Sequence, residues 1–187
     1  MSKDSPFDDV DVVISDSEKS AVEEAARELM AMPATEDEPM PSVAVVFPLR
    51  KSVPFPGLIM PVHAQQGYET SIMEKAMAQG KKVALLYAPG LPKGGVIANS
   101  SEFKRVGVIA DIHKRIRLPD GNTNYLCRGV RRFVVDRFVR IKNVPVAKVS
   151  FPEDIYPSGD ETGALARNVL MLSQKVADHQ PNLGDDF

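Results

Sequence analysis

Few residues of this chain are suited to chemistry, and the first of them form a serine–lysine pair. Ser101 and Lys104 have the Ser-x-x-Lys spacing of one class of serine nucleophile, in which the lysine amine takes up the serine proton. The pattern is short and lies where a loop meets a predicted strand. A hydrolase that uses these two residues is therefore the least favoured of our hypotheses. The one cysteine, Cys127, is predicted to be a small buried apolar residue rather than a nucleophile.

No metal site or nucleotide-binding loop can be assembled from the sequence. His63, His113 and His179 stand alone, and no histidine or cysteine has a neighbour at the spacing of zinc ligands. The glycine–lysine combinations at 80–82 and 92–95 lack the G-x-x-x-x-G-K-[ST] order that cradles phosphates. We therefore predict no catalytic residue, no metal ion and no cofactor in this chain.

The distribution of charge is the stronger chemical signal. Residues 1–40 contain twelve acidic and three basic residues, a net charge of −9, whereas residues 104–148 contain twelve basic and three acidic residues, a net charge of +9. The basic residues could bind a phosphate backbone or contact another protein, or they could be solvated and partly paired with the acidic residues 1–40. All three interpretations stay open. The predicted basic face consists of Lys114, Arg115, Arg117, Arg128 and Arg131.

An acidic leader precedes the regular part of the chain. Residues 1–42 are polar and contain prolines, which predicts a largely disordered segment. Within it, residues 15–18 have capping-box spacing and an apolar stripe follows, which predicts a short helix over 17–31. That helix either frays in solution or docks on this domain or a neighbouring subunit. The stripe consists of Val22, Ala25, Ala26, Leu29 and Met30.

Residues 43–151 are predicted to form a mostly antiparallel β domain of six or seven strands with one helix, closed or nearly closed. Its first two strands are joined by a stiff corner at 53–57, where Pro54 and Pro56 restrict φ and Gly57 allows a positive φ. A helix with a buried methionine stripe follows at 67–79. Further along, the turn at 118–122 predicts a hairpin, and Gly129 predicts a bulge or a close backbone approach that separates two strands.

The remaining features concern the C-terminal part and the compartment. Residues 152–160 have the composition of a linker, and 161–180 are predicted to form a helix whose apolar stripe has no partner in the sequence, as expected for the front portion of something longer. A single cysteine permits no intrachain disulfide, no apolar run reaches the roughly 18 residues of a membrane span, and no secretory signal opens the chain. A cytoplasmic location without membrane contact is predicted.

Several short sequence blocks recur in a fixed order between residues 48 and 132. They are Pro48-Leu49-Arg50, Val53, Phe55-Pro56-Gly57, Pro61, Gly67-x-Glu69-x-Ser71-Ile72, Val106-Gly107-Val108-Ile109-Ala110, Leu118-Pro119-Asp120-Gly121 and Gly129-x-x-Arg132. Taken in this order, the blocks resemble the N-terminal substrate-binding domain of the ATP-dependent Lon protease family. The resemblance implies an α+β fold, a mostly antiparallel PUA-like β pseudo-barrel with one short helix, followed by the start of a helical segment.

The same resemblance implies a role in substrate recognition and ring assembly. The domain would bind unfolded, damaged or tagged protein segments and deliver them to ATPase and serine peptidase modules that lie outside this chain, together with their ATP and Mg²⁺. By itself the chain is expected to hydrolyse neither ATP nor peptide bonds. The alternative is a stand-alone nucleic-acid-binding module that uses residues 104–148 and binds DNA weakly. The candidate substrate contacts, which are equally suited to a core, are Phe55, Pro56, Leu58, Ile59 and Met60.

Overall fold

The computed structural model describes residues 20, 24–27, 29, 39–91, 99–155 and 159–178. The chain divides into two compact units, Met1–Pro152 and Glu153–Phe187. The second unit contains helix α2 (Asp160–Asp178). In the first unit the elements in chain order are β1 (Val43–Leu49), β2 (Ile59–Ala64), helix α1 (Tyr68–Ala78), β3 (Lys82–Tyr87), a 3₁₀ turn (Ser100–Glu102), β4 (Val106–Arg117), β5 (Thr123–Arg140) and β6 (Val146–Ser150).

The long strand β5 closes the sheet. The strand order is β2-β5-β4-β3-β1-β6, and β5 also pairs with β6, so the five strands from β5 to β6 form a ring with β2 attached outside it. Among the strands of the described residues, β1 and β3 pair in parallel and the other pairs are antiparallel. Closure leaves these five strands without open edges. The predicted α+β, mostly antiparallel pseudo-barrel is therefore confirmed.

One prediction about the strands is wrong. The sequence predicted that Gly129 separates two strands, but β5 runs through this glycine for 18 residues. The register shifts here, because Ile109 is opposite Arg131 while Ala110 is opposite Gly129, which leaves Val130 as the extra residue of a bulge. A bulge adds a residue and bends the strand without ending the ladder. The bend lets one strand pair with β2 at its start and with β6 at its end.

Two apolar clusters fill the space on either side of β1. Val45 and Phe47 face the cluster beneath α1, while Ala44 and Val46 face a second cluster that includes Phe133. Because both faces of the strand are covered, its sequence is a continuous apolar run rather than an alternating one. The helix contributes Ile72, Met73 and Ala76, each fully buried, which confirms that the methionine stripe of α1 is a core face.

Residues 24–27 and 29 of the acidic leader are helical, and the apolar side chains among them lie against the domain. Ala25, Ala26 and Leu29 are buried together with Leu126 of β5, and Ile59 of β2 packs against the same cluster. Of the two interpretations of this segment, the contact corresponds to docking on this domain. The capping box at 15–18, Val22 and Met30 lie outside the described residues.

The helix of the second unit has an exposed apolar stripe. Helix α2 exposes roughly half or more of each aliphatic side chain along one face, namely Leu165, Val169, Leu172 and Val176. Their spacing of four, three and four residues is that of a helix–helix seam. Neither α1 nor α2, nor any other helix in the described ranges, has the length and apolar character needed to cross a membrane.

Candidate functional site

The connection between β1 and β2 exposes a group of apolar side chains, which we call the apolar corner: Val53, Phe55, Pro56 and Leu58. Phe55 is 62% exposed and Leu58 is 44% exposed, whereas Pro54 between Val53 and Phe55 points inward and is buried. Single exposed apolar residues are ordinary on protein surfaces, but four within six consecutive positions form a patch. The corner thus offers an apolar contact surface that the rest of the barrel does not use for its own core.

Backbone hydrogen bonds to β5 hold the corner in one shape. The Gly57 amide donates to the Gly129 carbonyl, and the Gly129 amide donates to the Leu58 carbonyl, both at 2.8 Å. A Cβ atom on residue 129 would lie 2.2 Å from the carbonyl oxygen of Phe55, so only glycine lets the two backbones approach this closely. Gly57 has the positive φ of 79° expected from the sequence. The close approach predicted at Gly129 is confirmed.

Two of the five candidate contact residues lie away from this surface. Side chains alternate along β2, so Met60 points into the cluster beneath α1 and is only 9% exposed. Ile59 points to the opposite face, where the leader residues partly cover it. The structure therefore corrects the predicted set: Met60 is a core residue, whereas Phe55, Pro56 and Leu58 are exposed and stay candidates for contact. Val53, which the predicted set omits, belongs with them; its place before Pro54 in the turn was the available signal.

An ion pair between a partly buried arginine and a buried carboxylate anchors the segment that leads into the corner. The Arg50 guanidinium, immediately after β1, donates to the Glu69 carboxylate in the first turn of α1. Glu69 is 1% exposed, and its other oxygen accepts the Gln65 amide at 3.0 Å. A carboxylate near a helix N-terminus also faces the positive end of the helix dipole. The sequence contained both residues in its resemblance blocks, but nothing in their spacing of 19 positions indicated the pair.

The residues of the predicted basic face do not share one face of the sheet. Lys114 is opposite Leu126, on the side of the leader, whereas its neighbour Arg115 is opposite Tyr125, on the side of α1, because strand side chains alternate. Arg117, two positions after Arg115, lies on the same side of the sheet as Arg115, whereas Arg128 lies on the same side as Lys114. The guanidinium of Arg131 lies 5.7 Å from the Phe151 ring centroid, beyond the bulge. A phosphate backbone would therefore meet these side chains on different surfaces.

The turn between β4 and β5 has the predicted hairpin chemistry. The Leu118 amide donates to the Asn122 carbonyl at 2.9 Å, and Gly121 has a φ of 85°. The Asn122 amide donates to a carboxylate oxygen of Asp120 at 2.9 Å, and this hydrogen bond lowers the pKa of the exposed Asp120 carboxyl. The Asn122 side chain accepts the Gln66 amide at 3.0 Å and so ties the turn to the connection between β2 and α1.

The side chains that the sequence offered for catalysis or metal binding remain apart. Ser101 and Lys104 are both exposed, whereas a lysine that serves as a general base is normally buried. Nδ1 of His63 lies 2.9 Å from the Asn124 side-chain oxygen, and His179 lies outside the described residues. Within the described ranges, no three His, Cys, Asp or Glu side chains come together as they would around a metal ion.

Cys127 is expected to resist thiol reagents until the domain unfolds. The side chain is fully buried beneath α1, and burial raises the pKa of its thiol far above the usual value, so the reactive thiolate is not populated near neutral pH. A chromogenic disulfide reagent at pH 8 should modify the native protein roughly 100-fold more slowly than the protein in denaturant. Equal rates in the two conditions would contradict the buried position.

Comparison with known proteins places these features in a family. A family model described as the ATP-dependent protease La (LON) substrate-binding domain matches residues 43–187. The Lon protease of Cytophaga hutchinsonii is 33% identical over 152 residues, covering 80% of this chain and 18% of that protein. The Lon protease of Leptospira interrogans is 28% identical over 147 residues, covering 78% of this chain and 17% of that protein. The chain thus spans less than one fifth of the length of these relatives.

Solved structures show the same fold. The N-terminal domain of a Mycobacterium avium complex Lon protease superposes with a TM-score of 0.53 at 23% identity, covering 73% of this chain and 71% of that one. A Lon N-terminal domain protein from Xanthomonas campestris gives 0.52 at 21% identity, covering 71% and 73%. The family match covers most of this chain and agrees with the order of the sequence blocks and with the barrel. The chain therefore belongs to the LON substrate-binding domain family of the ATP-dependent Lon proteases.

Proposed function

We propose that this domain binds unfolded or damaged polypeptide segments at the apolar corner, for delivery to the ATPase and peptidase modules of a Lon-like protease. The observation that carries the proposal is the exposure of Phe55, 62%, on a corner that two backbone hydrogen bonds hold in place. A rigid aromatic side chain contributes a large apolar contact at little entropic cost when it binds. Unfolded chains differ from folded ones chiefly in the apolar side chains they expose, so this surface is suited to distinguish them.

The small size of the corner favours weak, repeated contact rather than tight single binding. Self-association in a ring would present several corners to one chain, and the second contact would form at a high effective concentration. Delivery, ring assembly and the use of ATP and Mg²⁺ by the other modules belong to this proposal, as does a cytoplasmic location. The single buried cysteine is consistent with a reducing compartment.

Phe55→Ser is expected to weaken capture of a permanently unfolded model protein about tenfold, the loss typical of a strong aromatic contact at an interface. Because the side chain is exposed, the free energy of unfolding should change by less than about 0.5 kcal/mol. Titration of the fluorescently labelled unfolded protein with the wild-type and variant chains measures the first quantity, and urea unfolding measures the second.

Val139→Ser is the matched control, because Val139 is 54% exposed on β5 and outside the corner. It should leave capture unchanged. Equal losses in the two variants, or none in either, would refute a specific role of the corner. The same titration at low and high salt, with duplex DNA as competitor, tests the alternative of nucleic-acid binding. If duplex DNA displaces the unfolded protein and high salt abolishes its capture, the basic residues rather than the corner would be the binding site.

A further inference from the structure

A second apolar surface lies on the outer face of β2 and β5. Ile59 and Leu126, which we call the outer strip, point away from the core beneath α1, because their neighbours Met60 and Cys127 point into it. Leu126 is 2% exposed, yet it belongs to neither of the two clusters of the barrel. It is buried in a separate cluster with the leader residues and Ile59.

The leader covers the outer strip with one face of a helix. Ala25, Ala26 and Leu29 recur at the spacing of a helical face and are buried, while Glu24 and Arg27 between and beside them are exposed. Two alanines allow the helix to approach the sheet closely, and the leucine supplies most of the apolar area. The strip therefore accommodates an amphipathic helix whose contact face is narrow and aliphatic.

Charge adds a second requirement for whatever binds there. Arg128 is directly opposite Ile59 and Lys114 is directly opposite Leu126, so both bases occupy the sheet face that carries the strip. The leader sequence over 15–31 is acidic, with five acidic and two basic residues. Opposite charges flanking an apolar contact favour one orientation and speed association.

We propose that the outer strip is a binding surface for short amphipathic helices with a small aliphatic face and acidic flanks, and that the leader helix occupies it in cis. The idea that such helices come from client proteins rests on the proposed function, but the helix-binding property of the strip does not.

Because the leader helix occupies the outer strip of its own chain, it competes with any helix that is added in trans. A segment tethered by a short linker acts at an effective concentration of about a millimolar, so a helix added in trans must exceed that or bind better. In the wild-type chain the strip should therefore be largely closed to other helices. A substitution that releases the leader should open it.

The test uses the full chain and a labelled synthetic peptide of residues 15–31 as the probe. Leu29→Asp in the chain places a charge in the apolar contact and should release the leader. Fluorescence anisotropy should then show the peptide binding at least tenfold more tightly to the Leu29→Asp chain than to the wild type. Arg27→Gln in the chain, an exposed change in the same segment that removes none of its acidic residues, should leave the strip closed as in the wild type. A peptide carrying Leu29→Asp should not bind.

Two further variants locate the binding and separate it from the proposed function. Adding Ile59→Ser to the Leu29→Asp chain should abolish peptide binding, whereas adding Phe55→Ser should not change it. Equal peptide affinity for the wild-type and Leu29→Asp chains, or binding that survives Ile59→Ser, would overturn the inference. Peptide binding that follows this pattern in a chain that fails to capture unfolded protein would refute the proposed function and leave the strip assignment intact. Circular dichroism of each chain verifies that the barrel remains folded.

Discussion

Gly129→Ala is expected to lower the free energy of unfolding by about 3 kcal/mol, at the upper end of the range for an added atom in a tightly packed site. The new Cβ would lie 2.2 Å from the Phe55 carbonyl oxygen, 3.1 Å from its carbonyl carbon and 3.2 Å from a methyl group of Val108. The first two are backbone atoms, so no rotation of a side chain relieves the contact. Either β5 or the apolar corner has to move.

The movement would also break the hydrogen bonds that hold the corner. The Gly129 carbonyl accepts from Gly57 and its amide donates to Leu58, and a shift of a few tenths of an ångström weakens both. A buried donor or acceptor that loses its partner costs about 1–3 kcal/mol. The same substitution is therefore expected to weaken capture of unfolded protein as well, because the position of Phe55 depends on this backbone contact.

Urea unfolding of the Gly129→Ala variant measures the expected loss in the free energy of unfolding. Gly90→Ala is the control, because a Cβ at Gly90 meets nothing within 4 Å and the glycine does not have a positive φ. That change should alter stability by less than about 0.5 kcal/mol. If both variants were as stable as the wild type, the corner would not contact β5 as described.

Arg50→Met is expected to destabilise the domain by about 3–4 kcal/mol, the usual consequence of leaving one buried charge without its partner. Glu69 is almost fully buried. The Gln65 amide donates to the second carboxylate oxygen of Glu69, but this amide is neutral and does not compensate the negative charge. Methionine fills much of the space of the arginine stem, so the loss measures the uncompensated carboxylate more than a cavity.

The double variant Arg50→Met/Glu69→Met distinguishes charge from packing. With both charges absent, most of the stability should return, to within about 1 kcal/mol of the wild type, because the desolvation cost disappears with the pair. Arg115→Met is the surface control: its guanidinium lies 3.8 Å from the Glu74 carboxylate, and both side chains are exposed. That pair should contribute less than about 0.5 kcal/mol. A double variant as unstable as Arg50→Met would show that the ion pair is not the cause.

These two substitutions act on the two ends of one segment. The ion pair fixes the chain where it leaves β1, and the glycine contact fixes it where it enters β2. Between them Pro54 and Pro56 fix φ and leave the backbone few alternatives, and Gly57 adopts the positive φ that the turn needs. The exposed side chains of the apolar corner are therefore presented by a segment that is rigid without contributing those side chains to the core.

Local sequence was sufficient for much of the fold. The β-branched runs predicted the strands, the hairpin turn followed from Pro119, Asp120 and Gly121, and the helix at α1 followed from its apolar spacing and Gly80. Gly129 was recognisable because a glycine inside an apolar strand usually marks a bulge or a site where another backbone approaches closely. The ordered blocks predicted the family, since together they span the barrel and its turns.

Only the tertiary structure decided which apolar and charged residues are available. The alternation of Leu58, Ile59 and Met60 is readable from the sequence, but which side the core, the leader or solvent occupies depends on strands far away in the chain. The pairing of Arg50 with Glu69 and the separation of Lys114 from Arg115 likewise depend on contacts across the sheet. Periodicity specifies that two faces differ; long-range packing specifies what covers each of them.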